Sequence, residues 1–210
     1  TPLTAIRGFA ELYRQGAVTG EEETKQLLAR IEGESIRMGS LVEDLLLLAR
    51  LDQAREMERL PVDIAQATRD AVASAQVAGP SHPISLIDDV GELYTLGDQH
   101  RIHQVVANLL ANARTHTPAG TVIDVTVKQD ADGVRIRIAD NGPGLSKADQ
   151  ERIFERFYRA DASRVRTDGE GTGLGLSIVD AVMRAHAGQV SVESEVGKGA
   201  VFTLFFPLGS

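Results

Sequence analysis

The sequence predicts an α+β chain: a helical hairpin followed by a two-layer α/β sandwich with its helices on one face. Three observations carry this. Residues 1–58 hold helical periodicity nearly throughout and no strand-like alternation. From residue 59 onward, helices and strands alternate. The strands also outnumber the helices that could cross over between them, and several are linked by hairpins, which argues against a doubly wound sheet.

In the first helix Leu3, Ile6, Ala10 and Tyr13 recur at alternating steps of three and four. Gly16 and Thr19-Gly20 break it, and Glu21, Glu22 and Glu23 suit the start of the next helix, where the helix dipole favours negative charge. From Leu27 a heptad-like stripe runs through Ile31, Met38, Leu41, Leu45 and Leu48, interrupted by Glu34. Two helices with such narrow stripes bury little by themselves. Pairing two hairpins into a four-helix bundle covers both stripes, so a homodimer through the hairpin is expected; a hairpin packed on its own domain is the alternative.

Leu60-Pro61-Val62 closes this section. Asp63 is a good N-cap for a helix running toward Val77, and Gly79-Pro80 stops it. Strands are expected over 83–88 and 93–96. Gly97-Asp98 then caps a long helix to His116, ended by Pro118 and Gly120. Residues 122–127 and 134–139 alternate in period two around the hairpin turn Asp132-Gly133. A short helix follows Ser146, and a polar stretch covers 159–171. A helix over 173–186 and strands over 190–194 and 201–206 complete the chain.

Composition narrows the function. With 42 % hydrophobic residues, 210 residues can build a core in one large domain or two small ones. The absence of cysteine excludes disulfides and thiolate metal sites and fits a reducing, cytoplasmic setting. The longest purely apolar run, residues 45–49, falls short of the about 20 needed to span a membrane and of a signal peptide's apolar region. A net charge of −8 and 4 % aromatic residues argue against a nucleic-acid partner, whose phosphates and bases need basic and stacking side chains.

Three local patterns carry chemistry. Asn108 and Asn112 stand one turn apart beside an apolar stripe, although Asn is a mediocre helix former. Their carboxamide oxygens suit a Mg²⁺ shell completed by phosphates and water, and a solvated surface pair is the plain alternative. Asp140 enters Asn141-Gly142-Pro143-Gly144, either a simple tight turn or a carboxylate aimed at an exocyclic amine with bare backbone beside it. The glycines from Gly169 to Gly175 run into a helix, leaving amides free to face an anion. No strand immediately precedes them and no Gly-Lys-Ser/Thr follows, so neither a dinucleotide fingerprint nor a Walker loop fits; a lid over phosphates is the better account.

Asn108-Leu109-Leu110-Ala111-Asn112-Ala113 resembles the N box of sensor histidine kinases. Asp140-Asn141-Gly142-Pro143-Gly144 resembles their first glycine box, Phe154-Glu155-Arg156-Phe157-Tyr158-Arg159 their F box, and Gly171-Thr172-Gly173-Leu174-Gly175-Leu176 their second glycine box. Thr1-Pro2-Leu3-Thr4 matches the end of the phosphoacceptor box, and Leu41-Val42-Glu43-Asp44-Leu45-Leu46 resembles the second helix of the dimerisation domain.

The resemblance implies a dimerisation hairpin over 1–58 and a Bergerat-type ATP-binding domain over 59–210. It implies ATP and Mg²⁺ as cofactors, with Asp140 on adenine and Asn112 as the principal metal ligand. Asn108 would support phosphate or metal. Gly142, Gly144, Gly171, Gly173, Leu174, Gly175 and Arg159 would complete the nucleotide contacts, with Phe154 and Phe157 anchoring the lid. The implied reaction is phosphoryl transfer to a histidine and onward to an Asp of a response regulator, within a membrane-anchored parent. Thr1 stands where the family places its phosphatase residue, and it is equally suited to cap a helix before Pro2.

Two departures follow. Where the N box usually carries Lys, this chain has Thr115, leaving Arg114 or His116 to serve instead. None of His82, His100, His103, His116 or His186 sits in a phosphoacceptor motif; the acceptor is expected four positions before Thr1, and residues 1–210 alone are expected not to autophosphorylate. An ATP hydrolase of the same fold is one rival, disfavoured because Asn108 stands where those enzymes place a Glu base. A nucleotide- and regulator-binding module without catalysis is the other.

Overall fold

The computed structural model describes residues 2–52, 60–88, 90–160 and 172–207. The chain divides into two compact units, Thr1–Ala49 and Arg50–Ser210.

The first unit is built from α1 (Pro2–Arg14) and α2 (Glu21–Asp52), whose last turn crosses the divide. Pro2 opens α1, where its missing N–H costs nothing, and three glutamates fill the first turn of α2. The helices face each other through the Arg30 guanidinium, which lies 5.9 Å from the Phe9 ring centre. Leu27 is buried, and Ile31, Met38 and Leu41 are half-buried. On α1 the less exposed apolar residues are Ala5, Ile6 and Phe9, whereas Leu3 and Tyr13 stay exposed. The inward face of α1 is thus rotated from the expected stripe. Leu12, Leu28, Ile36, Val42 and Leu46 are exposed as well.

The second unit is the expected one-sided sandwich. Its main sheet contains β2 (Ile84–Asp88), β4 (Ile123–Gln129), β5 (Gly133–Asp140), β6 (Gln189–Glu195) and β7 (Gly199–Pro207), in the order β2-β4-β5-β7-β6. Only β2 and β4 run parallel. A separate antiparallel pair joins β1 (Leu60–Asp63) to β3 (Tyr94–Gly97). The sequence marked Leu60-Pro61-Val62 only as a boundary. Four residues including a proline give little strand signal, yet Pro61 is tolerated in a two-stranded ribbon, which leaves one side of each strand unpaired.

Helices α3 (Ile64–Ala78), α4 (Gln99–His116) and α6 (Gly175–Ala185) cover one face of the main sheet; α5 (Lys147–Arg152) packs beside β6. Alternate residues Val125, Val127, Ile136, Ile138 and Leu204 point into that layer and are almost wholly buried. Each such side chain contributes about 1.5–3 kcal/mol through removal from water. The caps are explicit. Asp63 Oδ1 accepts from the Ala65 and Gln66 amides at 3.0 and 3.2 Å, and Asp98 Oδ1 accepts from Arg101 N at 3.1 Å. Buried His186 ends α6: its Nε2 accepts the Asp98 amide at 3.1 Å, so Nδ1 carries the proton and donates to Val182 O at 2.8 Å. This bond ties the start of α4 to the end of α6, the two helices that carry the polar motifs.

Candidate functional site

The residues singled out on sequence grounds, where described, fall on three neighbouring pieces of the second unit. Asn108 and Asn112 lie on α4, both half-buried, while Ile102, Val105, Leu109 and Ala113 fasten the helix to the core. Asn108 Nδ2 donates to Gly175 O at 3.4 Å, linking α4 to the first residue of α6. Asn112 makes no side-chain hydrogen bond to any described residue, so its carboxamide is available to a ligand.

Gly175 opens α6, and the preceding Leu174 is fully buried. Leu174 therefore anchors the helix start and offers a ligand its backbone only. No side chain caps α6, so its first amides and its dipole are directed at whatever lies before the helix. The Phe157 amide donates to Gly173 O at 3.0 Å, joining the segment after α5 to this start. Phe157 itself has φ of 63° and is 59 % exposed. Phe154, in contrast, is half-buried. Thr1 and Gly171 lie outside the described residues, as does the polar stretch over 161–170.

Asp140 ends β5, central in the sheet. Its Oδ1 accepts the Gly142 amide at 2.9 Å, and the Ala200 amide also reaches the carboxylate. Burial raises its pKa above the ordinary value of 3.8, and the two backbone amides only partly oppose this. Asn141 is taken up structurally: its Oδ1 accepts from Val122 N at 2.8 Å. A side chain on Gly142 would meet the Thr117 methyl at 2.5 Å, so the loop approaches the end of α4 closely. Gly144, with φ of 69°, lies so near Glu195 that a Cβ there would fall within 3.0 Å of its carbonyl.

Arg114 turns away, donating to Ala78 O at 3.1 Å, where it caps the end of α3. His116 is in electrostatic contact with Arg159. Its pKa is lowered first by burial and then by that guanidinium. His82 is buried, beside Ser81 Oγ at 3.2 Å and Thr117 O at 3.4 Å, and is structural like His186.

Sequence reasoning did not single out Gln150 or Ser194, whose side chains hold the Asp140 loop. Their roles depend on partners remote in sequence; the only local hint was the turn pattern Gly197-Lys198-Gly199 that follows Ser194.

The donor set suits a magnesium nucleotide: a carboxylate at one end for a base amine, an open helix N-terminus at the other for phosphates, and carboxamides between them for a hard cation.

Comparison with known proteins agrees with this geometry. Residues 97–210 match the family described as histidine kinase-, DNA gyrase B- and HSP90-like ATPases. Residues 1–54 match the His kinase A (phospho-acceptor) domain. The chain is 47 % identical over 197 residues to the probable sensor histidine kinase TcrY of Mycobacterium tuberculosis, an overlap of 94 % of this chain and 41 % of that protein. It is 35 % identical over 212 residues to the sensor-like histidine kinase SenX3 of Mycolicibacterium smegmatis, covering 99 % of this chain and 54 % of that one. Among solved structures, full-length ShkA in complex with AMPPNP superposes with a TM-score of 0.73 at 30 % identity, across 100 % of this chain and 44 % of ShkA. The chain thus spans between 41 % and 54 % of the length of these curated relatives.

Proposed function

This chain belongs to the sensor histidine kinases of two-component systems, and from that premise we propose that residues 59–210 bind ATP·Mg²⁺ and direct its γ-phosphoryl group to a histidine. The observation that carries the reading is the junction of Asn108 with Gly175, which sets the metal-suited face of α4 against the uncapped start of α6. When bound, ATP supplies the phosphoryl group and Mg²⁺ offsets its charge. The chain's own part is binding and orientation. Asp140 accepts from the base amine, and Asn112 and Asn108 hold metal and phosphate. The α6 amides and the backbone of Gly142, Gly144, Gly171, Gly173 and Gly175 face the nucleotide, with Arg159 and His116 at the phosphate edge. Asn108 cannot take a proton from water, which favours transfer over hydrolysis.

The acceptor histidine belongs to a phosphoacceptor box ending in Thr1-Pro2-Leu3, and the phosphoryl group passes next to an Asp of a response regulator. Thr1 is proposed to orient water in the reverse, phosphatase step. Among the described residues no helix is long and apolar enough to cross a membrane, and we place this core on the cytoplasmic side of a membrane-anchored parent. Incubated with γ-labelled ATP·Mg²⁺, residues 1–210 should bind nucleotide yet gain no acid-labile, base-stable phosphate. Such phosphate on any of the five histidines would overturn the assignment of the acceptor.

Residues 1–58 are proposed to form a homodimer. The support is the apolar surface left uncovered on one hairpin: Leu3 is 64 % exposed, Leu28 57 %, Ile36 65 % and Leu46 53 %. Replacing Val42 and Leu46 together with Asp should convert a dimer to a monomer in sedimentation equilibrium without altering ATP affinity. A wild-type chain that is monomeric at high concentration contradicts the assignment.

A further inference from the structure

We propose that Ser194 and Gln150 are positioning residues for Asp140, and that their clamp sets the purine selectivity of the site. This rests on Asp140 reading the base. The loop after Asp140 has few bonds of its own. Gly142 N–H turns back to the Asp140 carboxylate, Pro143 has no N–H to donate, and Gly144 is left-handed. Asn141 is paired with Val122, and beyond it the anchors come from the end of β6 and the turn that leads to β7. Gly197 N donates to Pro143 O at 2.7 Å, and Leu145 N donates to Ser194 Oγ at 2.7 Å.

The Ser194 hydroxyl works in two directions. While accepting from Leu145, it donates to Gly199 O at 2.7 Å. Gly199 precedes Ala200, whose amide reaches the Asp140 carboxylate, and Asp140 and Ala200 are direct partners across β5 and β7. One hydroxyl therefore couples the far end of the loop to the strand that holds the carboxylate.

Ser194 is fixed in turn by Gln150. β6 is an edge strand, and at Ser194 the Gln150 side chain takes the place of a neighbouring strand. Its Nε2 donates to Ser194 O at 2.9 Å while its Oε1 accepts from Ser194 N at 3.2 Å. The same Nε2 also lies 3.2 Å from Leu145 O. Gln150 is held on α5, whose start is closed by reciprocal bonds between Ser146 and Asp149. Tyr158 OH donates to Asp149 Oδ1 at 2.9 Å, so the clamp is braced from the F-box side as well.

The test uses the whole chain and three probes, ATP·Mg²⁺, GTP·Mg²⁺ and magnesium triphosphate, titrated calorimetrically beside melting curves. Ser194→Ala and Gln150→Met should each weaken ATP about tenfold and shrink the preference for ATP over GTP by a similar factor, the scale of one lost buried hydrogen-bond partner. Affinity for triphosphate should not change. Ser194→Thr, which keeps the hydroxyl, should restore the preference. Should Ser194→Ala fail to fold, the Gln150→Met arm decides. Lower melting temperatures with the purine preference intact would make the pair merely structural and overturn the proposal. If Asp140→Asn abolishes the preference and these variants keep it, the clamp fails and the adenine reading stands. If Asp140→Asn also leaves it intact, both fall.

Discussion

Replacing Asp140 by Asn should abolish ATP binding and leave the fold as stable as before or slightly more so. The two effects separate because burial disfavours the charged carboxylate that a base amine requires. The folded pKa of Asp140 is raised, by burial first, against the opposing amides of Gly142 and Ala200. With that sign, its contribution to stability is fully present below the ordinary carboxylate pKa of 3.8 and is lost as pH rises through the raised folded value. At neutral pH the ionised form is therefore a cost to the empty protein, and Asn escapes it while keeping an oxygen for Gly142 N–H. Binding responds in the opposite sense. A charge-assisted bond to the base is lost, and the Asn amide sets its own donor against the base amine. Together these amount to about 3 kcal/mol or more, at least a hundredfold in affinity. Calorimetry at neutral pH and a pair of melting curves check both halves. The wild-type affinity should also fall on acidification from a higher pH than an ordinary Asp would allow, and Asp140→Asn should lack that dependence. An unchanged ATP affinity in the variant would remove the adenine assignment.

What the sequence disclosed and what it hid follow one physical division. Features whose cause is local were legible. Residues 122–127 and 134–139 read as strands because one face of each is buried and the other is not. Asn108 and Asn112 stood out because a helix places residues four apart side by side, and Asp140 because its turn chemistry is contiguous. Features decided by remote partners were hidden. β1 exists because Val62 lies opposite Thr95, a pairing that four residues with a proline do not announce. Arg114 points away from the site because the carbonyl end of α3, 36 residues earlier, captures it. Ser194 meets Leu145 across 49 residues and Gln150 across 44, so neither has a local signature. In the hairpin, periodicity located an apolar face on α1, but which residues turn inward was settled by Phe9 meeting Arg30.

Gly199→Ala should damage stability and binding together, in contrast to Asp140→Asn. Gly199 has φ of 89°, a conformation that residues with a Cβ rarely adopt. It also lies directly beside the Asp140 backbone. A Cβ there would fall within 3.0 Å of the Asp140 carbonyl oxygen and carbon and of Asn141 Cα, closer than real Cβ atoms come. The obstacles are backbone atoms of a central strand, so no rotamer change relieves them. Either β7 withdraws, losing the Asp140–Ala200 pairing, or the strand end carrying Asp140 is displaced. Backbone strain and the lost pairing together should cost about 3 kcal/mol or more, lowering the melting temperature of this unit by about 6–12 °C. ATP affinity should fall with it, because either relaxation moves the carboxylate relative to the Ala200 amide. Lys198→Ala is the control: its ion pair with Glu195 is exposed, contributes about 0–1 kcal/mol, and does not approach the loop backbone. A Gly199→Ala chain that melts like wild type would show that β7 gives way without strain. Retention of ATP affinity at a lowered melting temperature would instead show that the carboxylate keeps its place when β7 moves. The contrast between the two substitutions then separates what the carboxylate does from what holds it.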